Sequence, residues 1–217
     1  FYEESWPAIE YFARYGYLTE EKFAKRVEPV LLFEKVEGGF YSQKELDKEV
    51  YYTTDPEAQA AYVKRQVKRG AQVIVMRDEI STAVMQKMML KSGGEQQFFR
   101  VDAKIEGEEG KLDNLDKLEA LFQDLIAAKD TKVEVRALGD ELPLYLLEDE
   151  QNRSIREMQE RYAQINPDMK TVDVPAKYTV VLNSDHALIQ KMAESITDEP
   201  SEKLRGLGRH LLALALL

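Results

Sequence analysis

Residues 50–89, VYYTTDPEAQAAYVKRQVKRGAQVIVMRDEISTAVMQKMM, carry the clearest structural grammar in the chain. Val50-Tyr51-Tyr52-Thr53-Thr54 is β-branched and aromatic, which suits a strand. Asp55-Pro56-Glu57 then has the form of a helix start: an N-cap acceptor, a proline at the first helical position and an acid near the positive end of the dipole. Ala60, Val63 and Val67 recur at helical spacing, and Lys68, Arg69 and Gly70 close the helix with cations in the last turn and a glycine beyond it. Ala71 to Met76, centred on Val73-Ile74-Val75, fits a short strand buried on both faces. Asp78 to Met89 is helical again. Strand, helix, strand, helix in this order predicts a βαβα unit with parallel strands and a right-handed crossover.

Upstream, Phe1 to Val36 reads as helical pieces. Pro7 can sit in a first turn, Gly16 marks a stop, Thr19-Glu20-Glu21 opens the next helix and Pro29 interrupts it. Gly38-Gly39 is a turn, and Ser42-Gln43-Lys44-Glu45 has the form of a capping box before a short helix. Downstream, Lys91 to Gly94 is a loop and Gln97 to Val101 one more strand. Ala103 to Asp113, with Gly107 and Gly110, is the best linker candidate. The expected domains are therefore 1–106, made of a helical segment 1–48 and a small α/β unit 49–104, then a linker at 107–112 and a second domain at 113–217.

The second domain opens with a helix striped by Leu115, Leu118, Phe122 and Leu125. Thr131 to Leu138 alternates strictly, so it predicts a strand with one face in water. Gly139-Asp140 turns the chain, and Pro143 to Leu147 is a second strand able to pair with the first as a hairpin. Asn152 to Ile165 is an amphipathic helix with Ile155, Met158, Tyr162 and Ile165 in register, ended by Asn166-Pro167-Asp168. Tyr178 to Leu182 is a third strand, and Asp185 to Ser195 and Glu202 to Leu217 are the last helices. The fold class is α/β, α+β overall: a helical segment and a small parallel-sheet unit, then a second α/β domain with a hairpin, a third strand and flanking helices.

The 217 residues are 44% apolar and 32% charged, as in soluble globular domains. Cysteine is absent, which excludes a disulfide framework or thiolate metal site and is compatible with a cytoplasmic location. Forty acids against thirty bases give a net charge of −10, which argues against nucleic acid as a partner. The one basic cluster, Lys64-Arg65 with Lys68-Arg69, reads as a solvated helix face. No signal peptide and no membrane-spanning run is present; the apolar run Leu211 to Leu217 is too short. The chain opens without methionine and stops inside an apolar helix, as an excised fragment would.

No catalytic constellation emerges. Ser184-Asp185-His186 contains three triad residue types, but neighbours in sequence cannot converge as nucleophile, base and orienter, and Ser184 or Asp185 reads better as a helix cap. His186 and His210 have no second ligand at a metal-site spacing. Gly206-Leu207-Gly208 lacks a third glycine and follows no strand, so it is no dinucleotide fingerprint, and no phosphate-cradling glycine-rich loop occurs. A competing functional class is an α/β enzyme or ligand-binding domain with its pocket at the strand ends near Thr53-Thr54 and Arg77-Asp78.

Val50 to Thr54, Tyr62 to Gly70 and Val73 to Ile80 resemble the small α/β segment that closes the middle domain of the heat-shock protein 90 chaperones of the bacterial high-temperature protein G type. Phe1-Tyr2-Glu3-Glu4 resembles the opening of the helical segment before it. Val174-Pro175, Lys177-Tyr178 and Leu182-Asn183-Ser184-Asp185-His186 resemble a phrase of that family's C-terminal domain, with Ser184 where the family usually has proline. The resemblance implies a fragment of an ATP-driven molecular chaperone: the end of the middle domain and most of the C-terminal dimerization domain, without its last helix. It also implies that the chain itself is not an enzyme and holds no cofactor, the family's ATP and Mg belonging to a domain outside it.

Two helices then become candidate surfaces for non-native client proteins. Met76, Met85, Met88 and Met89 put four of the seven methionines into fourteen residues, and the helix from Ile80 to Leu90 has more apolar positions than one buried face uses. Thioethers are flexible and polarizable, which suits a surface that fits many partners; the alternative is that they fill an internal helix interface. Met85, Met88 and Met89 form one candidate site, and Ile155, Met158 and Tyr162 the other, where the resemblance implies an exposed amphipathic helix and the periodicity alone implies core. Leu204, Leu207, Leu211 and Leu214 repeat at coiled-coil-like spacing and are the candidate dimerization residues, in a homodimer weakened by the missing helix.

Overall fold

The computed structural model describes residues 2–126, 131–139, 141–165 and 176–215, without the side chains of residues 160, 161, 164 and 165. Phe1, Asp140, the Asn166-Pro167-Asp168 stop, Val174-Pro175, Leu216 and Leu217 lie outside them. The chain is mixed α/β and divides into two units, Phe1–Val101 and Asp102–Leu217.

The first unit runs α1 (Tyr2–Thr19), α2 (Glu21–Val27), β1 (Leu32–Glu34), β2 (Phe40–Ser42), β3 (Glu49–Thr53), α3 (Ala60–Lys68), β4 (Val73–Val75), α4 (Glu79–Lys91) and β5 (Gln97–Arg100). The βαβα unit forms as expected: the sheet order is β4-β3-β5 and both pairings are parallel. All three residues of β4 are buried, which is why Val73-Ile74-Val75 reads as a continuous apolar run. Asp78 caps α4, its carboxylate accepting the Ser81 N–H at 2.7 Å.

Three local expectations change. Phe1 to Val36 is not wholly helical: Leu32–Glu34 pairs antiparallel with Phe40–Ser42, and Gly38 and Gly39 close the hairpin at φ of 96° and 78°. Gly16 does not end a helix. It lies inside α1, where a Cβ would stand 2.6 Å from the Phe23 ring, so glycine permits the close passage of α2. The third helix begins later than Asp55-Pro56-Glu57 suggests. The Asp55 carboxylate accepts the Glu57 and Ala58 N–H groups at 3.0 and 3.1 Å and closes a turn, and α3 starts only after Gln59. Gln59 is buried and its Oε1 accepts the Thr53 hydroxyl at 2.7 Å and the Thr54 N–H at 3.2 Å, tying the turn to the end of β3. The capping box is present: the Ser42 N–H donates to Glu45 at 2.7 Å before one 3-10 turn.

The second unit runs β6 (Glu108–Glu109), α5 (Leu115–Ile126), β7 (Lys132–Ala137), β8 (Leu144–Glu148), α6 (Glu150–Ile165), β9 (Tyr178–Asn183), α7 (Ala187–Ser195) and α8 (Glu202–Ala215). Its sheet order is β6-β7-β9-β8. The expected hairpin of β7 with β8 is therefore corrected: β9 lies between them, parallel to β7 and antiparallel to β8. Val180, Val181 and Leu182 are buried, and a strand this apolar belongs in the middle of a sheet, whereas β7 keeps one face partly in water. The stretch expected as linker, 107–112, contains β6, and the Gly110 N–H donates to Val135 O at 3.1 Å. The core packs α5, α7 and α8 on this sheet through Leu118, Phe122, Val180, Leu182, Ile189 and Met192. No described helix is long and apolar enough to cross a membrane.

Candidate functional site

The two methionine-bearing helices have opposite surroundings. Met85 is 3% exposed and Met88 is equally buried, both in one core with Trp6, Tyr17, Phe33 and Val84; Met89 packs half-buried against it. The expected binding surface on α4 is thereby corrected for Met85 and Met88. The extra apolar positions of α4 have a second neighbour, because α1 packs along it in addition to the sheet. Arg14 seals that contact. It is buried, pairs with Glu10 at 2.6 Å and donates to the Ser81 hydroxyl, and burial pulls its pKa below the usual guanidinium value while Glu10, Asp78 and Glu34 oppose the fall.

Ile155, Met158 and Tyr162 stand in the open, at 41%, 47% and 53% exposure, along one side of α6. No described α6 side chain belongs to the core of the second unit. The helix turns charge inward instead: Arg153 is buried and reaches Asp102 at 3.2 Å, Glu157 at 3.6 Å and Glu150, and Arg156 reaches Glu148 at 2.7 Å. The apolar row thus faces water while the unit's core is complete without it. The sequence periodicity showed the row; the signal that it points outward lay in the arginines one turn-face away, since only a charged face this rich in nearby carboxylates can take the inner side.

Of the leucines proposed for dimerization, Leu204 and Leu211 are buried in the unit's own core and Leu207 packs half-buried against it. Leu204 and Leu211 are corrected to core residues, since α8 packs on α5 and the sheet. Leu214 is 54% exposed. One further apolar face was not anticipated. On α1, Tyr11, Phe12 and Tyr15 are exposed on the side opposite Trp6, Ala13 and Tyr17, with the Tyr11 and Tyr15 rings stacked at 6.4 Å.

The strand-end pocket of the competing enzyme reading is an open hollow of about 480 Å³ lined by Glu34, Thr54, Asp55, Glu57 and Arg77 among others. Arg77 is paired with Glu34 at 2.5 and 3.3 Å, and this hydrogen-bonded contact raises its pKa. Thr53 is buried and committed to Gln59. The hollow thus offers carboxylates and a neutralised arginine, with no hydrogen-bonded acid–base pair arranged for proton transfer.

Ser184, Asp185 and His186 do not converge. Ser184 is buried, Asp185 accepts the Gly139 N–H at 2.8 Å, and it is His186 that caps α7, its Nδ1 accepting the Leu188 N–H at 3.2 Å. Capping by Ser184 or Asp185 is corrected accordingly. Asn183, fully buried, is the residue of this phrase that sequence reasoning missed: its amide donates to Leu142 O at 2.9 Å and its oxygen accepts the Asp185 and Leu138 N–H groups at 3.1 and 3.3 Å, fastening the loop between β7 and β8. Among the described residues no three His, Asp or Glu side chains are grouped as metal ligands.

No protein-family model matches the chain. It is similar to the chaperone protein HtpG of Porphyromonas gingivalis, with 30% identity over 230 residues, 92% of this chain and 33% of that relative. It is 28% identical over 235 residues to chaperone protein HtpG of Bacteroides fragilis, covering 93% of this chain and 32% of the relative. The relative of that name in Bacteroides thetaiotaomicron is 28% identical over 227 residues, 89% of this chain and 32% of its own length. The chain spans about a third of the length of the curated relatives it matches.

Proposed function

Since this chain is a homologue, over 92% of its length, of a third of an HtpG chaperone of the heat-shock protein 90 family, we propose that it supplies the surface on which such a chaperone holds non-native client proteins in the cytoplasm. In this reading Phe1–Val101 corresponds to the end of the middle domain and Asp102–Leu217 to most of the C-terminal domain, and ATP hydrolysis belongs to a part of the whole protein outside this sequence. The chain acts passively, by lending apolar area to unfolded segments.

The observation that carries the proposal is the row Ile155, Met158 and Tyr162, exposed on a helix that the core of its unit does not need. An apolar row on a monomeric surface marks an interaction site when its residues are contiguous. A flexible thioether between an aliphatic and an aromatic side chain fits many sequences, as a surface without a single partner must. Met85 and Met88 drop out of the candidate surface, and Met89 packs half-buried against the core of the first unit. Self-association, if α8 provides it, falls to Leu214 and the exposed side of Leu207.

The test is binding of a labelled, permanently unfolded protein, followed by fluorescence anisotropy, to the chain and to Met158→Asp. The expected result is affinity weakened about tenfold or more, equal to about 1.4 kcal/mol of lost contact, with unchanged circular dichroism. Equal affinity of the two folded proteins would overturn the assignment. Leu90→Asp, at an exposed leucine on α4, is the control and is expected to bind like the parent.

A further inference from the structure

Among the described residues, the helix that presents the apolar row is tied to other elements of its unit by ion pairs. The Asp149 carboxylate starts α6 by accepting the Asn152 N–H at 3.0 Å, and the Asp149 carbonyl accepts the Arg153 N–H at 2.9 Å. Beyond this turn, two arginines tie α6 to other elements. Arg153 Nη1 reaches Asp102, the first residue of the unit, at 3.2 Å, and Arg156 reaches Glu148, the last residue of β8, at 2.7 Å. Glu150 and Glu157, on α6 itself, hold the Arg153 guanidinium from either side. The first turn borders an open hollow of about 640 Å³ whose lining mixes charged residues such as Lys104, Glu134, Arg136 and Glu150 with Ile105 and Leu147.

We propose that Arg153 and Arg156 form an ionic latch that holds α6 in place and helical, so that they are positioning residues for the row Ile155, Met158 and Tyr162. The purpose of the latch rests on the reading of that row as a client surface; its existence does not. The large apolar side chains described on α6 face outward, so its anchoring falls to its polar residues. A planar guanidinium can meet carboxylates from several directions at once, which an ammonium cannot. Arg153 is only 5% exposed and Asp102 is itself mostly buried, and a buried pair cut on one side costs more than one replaced on both. Attachment by a few polar contacts also places α6 at the low end of local stability, where opening is independent of the sheet.

The experiment is amide hydrogen exchange of the whole chain, comparing Glu150–Ile165 with Tyr178–Asn183, in the parent, Arg153→Gln, Arg153→Lys and Asp102→Asn. The latch requires exchange across α6 to accelerate about tenfold or more in Arg153→Gln while β9 keeps its protection. Asp102→Asn, the milder cut, is to show the same pattern at smaller amplitude, and Arg153→Lys partial rescue. Unchanged α6 exchange in Arg153→Gln would overturn the proposal, and so would loss of protection in β9 together with α6, because Arg153 would then be an ordinary core support. Unfolded-client affinity, measured on the same proteins, is expected to fall with α6 protection. If Met158→Asp leaves client binding intact, the client reading fails while the exchange data still decide the latch.

Discussion

Met85 and Met158 carry the same side chain into opposite surroundings, and their substitutions separate accordingly. Truncating Met85 leaves a cavity among Trp6, Tyr17 and Val84, so Met85→Ala is expected to cost about 2–5 kcal/mol in urea unfolding. Met158→Ala has no cavity to leave and is expected to stay within about 0.5 kcal/mol. A cost above 2 kcal/mol at Met158 would mean that the row is packed. Tyr17 offers a second residue-scale test. Burial, with the nearby Glu28 carboxylate, pushes its phenol up to about 12, so the folded chain keeps a proton that the unfolded chain releases near pH 10. Its contribution is fully present below pH 10 and is lost as pH rises toward about 12. The melting temperature is expected to fall across that window less steeply in Tyr17→Phe than in the parent; identical slopes would show that the phenol does not titrate there with the fold.

Elements are where one unit was more legible than the other. In the first, strand and helix signals are local: a β-branched aromatic run, a glycine after two cations, and an apolar run too short for a helix. Parallel pairing then follows from connection chirality. In the second, the turn at Gly139 and the alternation of Thr131 to Leu138 suggest a hairpin, but the choice of neighbour belongs to β9, a strand distant in sequence whose Val180, Val181 and Leu182 demand the centre. Nor could the periodicity of α6 say which side faces inward, since a stripe of period 3.6 is equally consistent with either. The arginines settle it through carboxylates on other elements. Gly110 tests the corrected topology. A Cβ there would stand 2.6 Å from Ser184 Oγ and 2.7 Å from Val135 Cγ1, so Gly110→Ala is expected to destabilise the second unit by about 1–3 kcal/mol. No effect would mean that β6 does not lie against β7 in solution.

At the scale of the whole molecule, an acidic chain with a net charge of −10 keeps an exposed apolar row. Its charge discourages self-aggregation, which under the proposed function leaves the row for the apolar segments of unfolded chains. Leu214 is the place where a second copy of the chain would add to this surface, and Leu214→Asp is expected to abolish any concentration-dependent sedimentation without changing stability by more than about 0.5 kcal/mol. The most direct measurement of the central claim uses the methionines as reporters: methyl NMR spectra of the seven methionines during titration with a permanently unfolded protein. The Met158 methyl is expected to shift or broaden first, while Met85 and Met88 stay where they are. Binding of the unfolded protein with an unmoved Met158 methyl would contradict the assignment of α6 as the client surface.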